Sequence, residues 1–297
     1  MGSRSWIGPV VALVLAATLT ACQGAAAPVA TSSAEPPVTF RFEQPGTPPP
    51  SGPPPTSEVR TAPPAPPVWT VGARPLPRRP DGFGQVLPTP PELAQRRLPS
   101  ADRLPPPRDG HFAATVGPVP SDVLARSTWQ PACPVGVDGL RYLTLSFWGF
   151  DDRPHTGELI VASGVAENVR RVFERLYAAR FPIEEMRVTN KPELDAAPTG
   201  DGNNTNGFVC RPARGQTRWS AHAKGLAVDV NPFNNPYLRG DLVLPELASA
   251  YVDRRQRKPG MIHPGDPVVQ AFTAIGWTWG GTWRSPKDLM HFSSTGD

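Results

Sequence analysis

The chain has 297 residues, a net charge of +4, 41 prolines and 27 glycines, and 24 of those prolines fall between Gln23 and Pro107. That distribution excludes one globule over the whole length and leaves a folded part of about 180 residues at the C-terminal end, enough for one domain with a core. The mild positive charge suits anionic wall polymers or lipid headgroups, but the basic residues carry no nucleic-acid motif, so nucleic acid is excluded as a partner.

In chain order, Arg4 precedes an apolar run from Trp6 to Leu19, which ends in Leu-Thr-Ala-Cys at Cys22. A basic start, an apolar stretch too short to span a bilayer comfortably, and small residues at the end describe an export signal over residues 1–21. The cysteine there resembles the lipobox of bacterial lipoproteins. That resemblance implies a lipid on Cys22, cleavage just before it, and anchoring to the outer face of the cell membrane. The plainer alternative is a signal peptide with an incidental cysteine. Export also implies an oxidising compartment, so the two remaining cysteines, Cys133 and Cys210, are expected to form a disulfide.

Residues 22–111 read as a proline-rich tether, extended or disordered, because such a composition buries too little apolar surface to offset the entropy of ordering. At about 3.1 Å per residue, a few dozen residues hold a domain on the order of 100 Å from its anchor. The stretch Trp69–Leu104 is less repetitive, and the sequence leaves open whether it packs on the domain as an extended arm. The domain itself is read as residues 112–297.

Within it, Leu140–Phe150 alternates and is rich in aromatic and branched residues, as a strand should be, and Gly157–Ala162 reads as its hairpin partner. Val165, Val169, Val172, Phe173, Leu176 and Tyr177 form a helical stripe. Further short strands are expected in "PIEEMRV" and "AVDVN", a short helix in "PVVQAFTAIG", and a closing strand in "DLMHFS". Strands and helices mix without a βαβ rhythm, which predicts an α+β fold: a small antiparallel sheet with flanking helices.

The chemistry concentrates in "RWSAHAKGLAVDVNP", Arg218–Pro232, where Asp229 follows His222 by seven residues. In one extended strand they would lie about 23 Å apart, and in a helix about 10 Å, so sharing an ion requires the chain to turn between them. Gly225 is where that turn is easiest. A second stretch, Trp279–Phe292, places Asp288 three residues before His291. Two histidines and an aspartate meet the needs of a catalytic zinc, which takes three protein ligands and keeps one position open. A further carboxylate must then handle the proton. Asp288 is the candidate, although spacing alone does not choose it over Asp253 or Asp266.

These residues resemble the S-x-H-x-x-G-x-A-x-D and D-x-x-H signatures of the D-alanyl-D-alanine carboxypeptidase-like zinc peptidases, the family of VanY-type carboxypeptidases and L-alanyl-D-glutamate endopeptidases. The similarity runs from about Cys133 to Phe292. It implies an α+β domain with one zinc ion held by His222, Asp229 and His291, and Asp288 as general acid and base. It also implies an arginine that steadies the developing oxyanion; Arg211 is the best match, with Arg214 and Arg218 close by. Ser220 matches the signature serine and is expected to orient the site from one shell out. The implied substrate is the peptidoglycan stem peptide, cut by carboxypeptidase or endopeptidase action. "GWTWGGTW" and "NPY" favour the endopeptidase or general wall-peptidase side.

The rival from another class is a non-catalytic wall-binding lipoprotein that keeps the peptidase fold. A degenerate binder should have lost a ligand or the base, and all four positions are filled. No S-x-x-K with K-T-G and no H-E-x-x-H occurs, which excludes the serine D,D-peptidases and the zincins. Trp277, Trp279 and Trp283 suit a substrate groove or core packing equally. His111, His155 and His263 receive no role, "NNTNG" reads as a loop, and the chain is taken as a monomer.

Overall fold

The structure, a computed structural model, describes residues 69–213 and 216–297. The export signal, Cys22 and the tether up to residue 68 lie outside the described residues, as does Arg214.

The chain from Trp69 to Gly110 is an arm of mostly irregular, extended backbone with one short α-helix, α1 (Pro91–Ala94), and a 3₁₀ turn at Arg108–Gly110. It packs on the domain, so the tether ends well before residue 111. Single anchors hold it. The Trp69 indole N–H donates to Asp201 at 2.8 Å, and Leu93 is buried with Phe233, Leu247, Tyr251 and Met261. The Arg96 side chain, fully buried, makes two 2.6 Å hydrogen bonds to Glu184. Composition averages over a window and so registers the prolines rather than these few residues.

After the arm come β1 (Ala114–Gly117), α2 (Ser121–Arg126), β2 (Leu140–Trp148) and β3 (Pro154–Ala162). The three strands form an antiparallel sheet in the order β1-β2-β3, with Leu143 opposite Leu159 and Arg141 opposite Val161. Alternation sorts the side chains: Leu143, Leu145, Leu159 and Val161 enter the main core, while Leu140 and Ile160 enter a second cluster with Val188, Phe208 and Cys210. Helix α3 (Ala166–Ala178) lays the expected stripe of Val169, Val172, Phe173 and Leu176 on the main-core face. Each such side chain contributes roughly 1.5–3 kcal/mol on burial. Cys133 and Cys210 are disulfide-bonded, closing a sequence separation of 77 residues.

The rest of the domain is built from very short strands. β4 (Glu185–Met186) pairs parallel with β5 (Asn204–Thr205). β6 (Ala227–Asp229), β7 (Tyr237–Arg239) and β8 (Leu242–Leu244) follow, then helix α4 (Pro267–Thr273), which starts with a proline where its missing N–H costs nothing. β9 (Thr278–Trp279), β10 (Lys287–Asp288) and β11 (His291–Ser293) complete two antiparallel sheets, β6-β11-β9 and β10-β7-β8. The fold is α+β. No helix among the described residues is long and apolar enough to cross a membrane.

Two expectations change in detail. "DLMHFS" is not one strand: Asp288 pairs with Tyr237 in one sheet, and His291 with Asp229 in another. Of the three tryptophans, Trp277 and Trp279 are core residues. Trp279 lies opposite Phe292 on β11 and stacks on it, and Trp277, two residues earlier, also enters the main core.

Candidate metal centre

The pleat of β6 and β11 decides where the site forms. His291 faces Asp229 and Phe292 faces Val228 in antiparallel register. Phe292 and Val228 fill the core, so His291 and Asp229 must point the other way, into a cavity of about 1370 Å³. His222 arrives from a short 3₁₀ turn, His222–Lys224, which Gly225 ends at φ 68°. A Cβ on Gly225 would sit 2.5 Å from the Ala162 nitrogen, so both the angle and the close approach to β3 require glycine. This is the turn that the seven-residue spacing demanded.

Three donor atoms converge there. His291 Nδ1 lies 2.9 Å from Asp229 Oδ1, His222 Nε2 lies 3.2 Å from the same oxygen, and the two ring nitrogens lie 3.2 Å apart. Bonds of about 2.0–2.1 Å to a tetrahedral ion place its ligands about 3.3 Å from one another. The three residues therefore fit one face of a zinc tetrahedron. Their other atoms agree: His222 Nδ1 donates to the Gly207 carbonyl at 2.6 Å, and His291 Nε2 to the Asp297 carbonyl at 3.1 Å. With the outer nitrogen carrying its proton, each ring once neutral offers an ion the lone pair of its inner nitrogen.

Without an ion the cluster is strongly polarised. Burial alone would raise Asp229, but the charge of His222 and the hydrogen bonds of both rings hold it far below the usual carboxylate range. Burial would lower His291, yet its hydrogen bond to Asp229 and that residue's charge bring it up to about 9.

Asp288 stands beside this cluster. In a continuous strand, residues three apart face opposite sides; the break between β10 and β11 turns both Asp288 and His291 to the cavity. Gly280 makes room, since a Cβ there would lie 2.6 Å from the Asp288 carbonyl oxygen. Asp288 Oδ1 is buried with no hydrogen-bond partner. Burial first, and the charge of Asp229 second, push its carboxyl up to about 7, with His291 and Arg211 pulling the other way. A buried acid with one unpartnered oxygen thus stands beside three convergent donors.

The remaining candidates fall into place around it. Arg211 lines the cavity and acts on Asp288 through its charge. Arg218 is committed to Gln216 and Asp297. Ser220 accepts from the Ala223 N–H and donates to the Arg211 carbonyl at 2.9 Å, so it ties the His222 turn to the Arg211 backbone and not to a ligand ring. Trp283 leaves the core after the turn at Gly280–Thr282 and lies 5.6 Å from the His291 ring, on the cavity wall. Asp253 pairs with Arg255, and Asp266 caps the His263 amide; neither lines the cavity. The carbonyls of Gly207 and Asp297 were missed by sequence reasoning, because a backbone acceptor carries no side-chain signature.

The two histidines and the aspartate form a group able to hold one metal ion, with the buried acid Asp288 beside it. Residues 214–294 match the family model described as D-alanyl-D-alanine carboxypeptidase, a stretch that holds Ser220, His222, Asp229, Asp288 and His291. The match supports a peptidase. It is shorter than the Cys133–Phe292 resemblance and leaves Arg211, the disulfide and the arm outside. No curated protein and no solved structure matches the chain.

Proposed function

We propose that the protein is a zinc-dependent peptidase that hydrolyses peptide bonds of the peptidoglycan stem peptide. The observation that carries this reading is the convergence of His222 Nε2, Asp229 Oδ1 and His291 Nδ1 within 3.2 Å of one another, inside a stretch that matches a peptidase family. These three residues would hold the ion, which when bound supplies Lewis-acid polarisation of the scissile carbonyl and a more acidic water.

The chain's own residues do the rest. Asp288 Oδ1 accepts the proton of the attacking water and later delivers it to the leaving amine; a carboxyl held near pH 7 can do both. Arg211 supplies positive charge on the same cavity wall, where negative charge grows on the carbonyl oxygen. Trp283 packs against His291 and limits the ring's movement. The cavity continues from these residues along Asn206, Asn204 and Asn203 to Trp69 and Val71 of the arm. Its volume exceeds the several hundred Å³ typical of small-ligand pockets, which suits an extended peptide better than a free dipeptide.

The same reading takes the protein as an exported monomer, anchored by a lipid on Cys22 and working in the wall above its membrane. The test is digestion of purified stem peptides by zinc-loaded protein beside Asp288→Asn. Cleavage by wild type, cut about 10²–10⁴-fold in the variant, supports the peptidase. Zinc-loaded, folded protein that binds these peptides without cleaving any promotes the wall-binding alternative.

A further inference from the structure

His291 is held from both sides of its ring, and the outer partner is the stretch that follows β11. Its Nε2–H donates to the Asp297 carbonyl at 3.1 Å. That carbonyl is fixed in turn: the Arg218 guanidinium pairs with the Asp297 carboxylate, the Thr295 hydroxyl donates to the same carboxylate, and the Gly296 N–H donates to Ser293 Oγ at 3.1 Å. Arg218 is itself steadied by Gln216 at 2.6 Å.

To take an ion the His291 ring must be neutral, and a neutral imidazole carries one proton. With Asp229 Oδ1 only 2.9 Å from Nδ1, the carboxylate competes to keep that proton on Nδ1, where it blocks ligation. An acceptor at Nε2 reverses the preference and leaves the Nδ1 lone pair facing Asp229 and His222. For His222 the acceptor is Gly207, within the fold; for His291 it is an exposed residue held by the Arg218 ion pair and the Thr295 hydroxyl. An exposed pair contributes little to global stability, so its effect is local to the ring it holds.

We propose that Arg218 and Asp297 are positioning residues for the metal ligand His291, the ion pair setting the carbonyl that selects the ligating tautomer. This rests on the zinc reading above.

The test is zinc affinity of the full chain, by competition with a chromophoric chelator, for wild type, Arg218→Ala, Arg218→Lys and a chain lacking residues 295–297. Removing a cation near a dication should tighten binding by charge alone. The proposal requires the opposite: Arg218→Ala and the truncated chain bind zinc about 10–100-fold more weakly, and Arg218→Lys recovers part of the loss. In zinc-loaded wild type the His291 Nε2–H should also give a slowly exchanging imidazole signal in NMR spectra that Arg218→Ala loses. Unchanged or tighter zinc binding in both variants, with wild type binding normally, overturns the proposal alone. Failure of wild type to bind zinc sinks the metal reading and the proposal with it.

Discussion

Asp229 and His291 lie directly opposite each other on antiparallel strands, with Oδ1 and Nδ1 2.9 Å apart, and this cross-strand pair forms two thirds of the candidate metal site. In the ion-free protein the pair holds a proton at His291 up to about pH 9, which a metal ligand must give up. Zinc binding between pH 7 and 8 should therefore release about one proton from this ring, and the release should fade as pH rises through 9. Calorimetry in buffers of different ionisation enthalpy measures it. Zinc binding at pH 7 with no proton release would show that the pair is not polarised as described.

Asp288 has the opposite sense. Its folded carboxyl is raised to about 7, so the folded state holds a proton that the unfolded chain, with a carboxyl near 3.8, has lost. The folded state binds more protons between those values, so stability falls as pH rises from about 4 to 7. Asp288→Asn escapes that loss. In ion-free protein the variant should match wild type below pH 4 and exceed it at pH 8, by at most about 4 kcal/mol at 1.36 kcal/mol per pKa unit. Urea titrations at the two pH values decide it; equal stability at pH 8 would argue against a carboxyl raised by burial.

The Arg96–Glu184 pair makes the arm part of the domain. Arg96→Ala leaves Glu184 buried with only the Asn203 amide and no charge partner, which typically costs about 3–5 kcal/mol. A chain starting at Phe112 loses this pair together with the Trp69–Asp201 contact. Thermal melts of residues 69–297 and 112–297 should differ by roughly 10 °C or more, taking about 2–4 °C per kcal/mol at this size. Equal melting temperatures would mean the arm is only an appended strap.

The Cys133–Cys210 bridge closes a sequence separation of 77 residues and places Cys210 next to Arg211. Replacing both cysteines by serine should cost about 2–4 kcal/mol. On the proposed function it should also lower the catalytic rate more than it weakens zinc binding, because the loosened segment carries Arg211 and none of the three candidate ligands. Chelator competition and peptide kinetics on the same preparation separate the two effects.

Much of this was readable from residue patterns, for identifiable reasons. The hairpin of β2 and β3 and helix α3 have strong periodicity; the helix buries the face its stripe marks, and the hairpin buries side chains on both of its faces. The Gly225 turn followed from distance alone, since no regular element brings His222 to Asp229. Short elements were less readable. β10 and β11 are two and three residues long, and their separation into two sheets is set by pairing with Tyr237 and Asp229 rather than by local propensity. The arm hid because its anchors are isolated residues in a proline-rich context. The acceptors for the two histidine rings hid because they are backbone carbonyls.

The most direct test of the centre is zinc content of the purified chain, wild type beside His222→Ala, after equilibration with zinc and removal of excess. The three-donor geometry predicts about one zinc per folded wild-type chain and a loss of it in His222→Ala. A folded wild-type protein that takes up no zinc, or a His222→Ala variant that keeps it, would contradict the assignment of His222, Asp229 and His291 as the metal site.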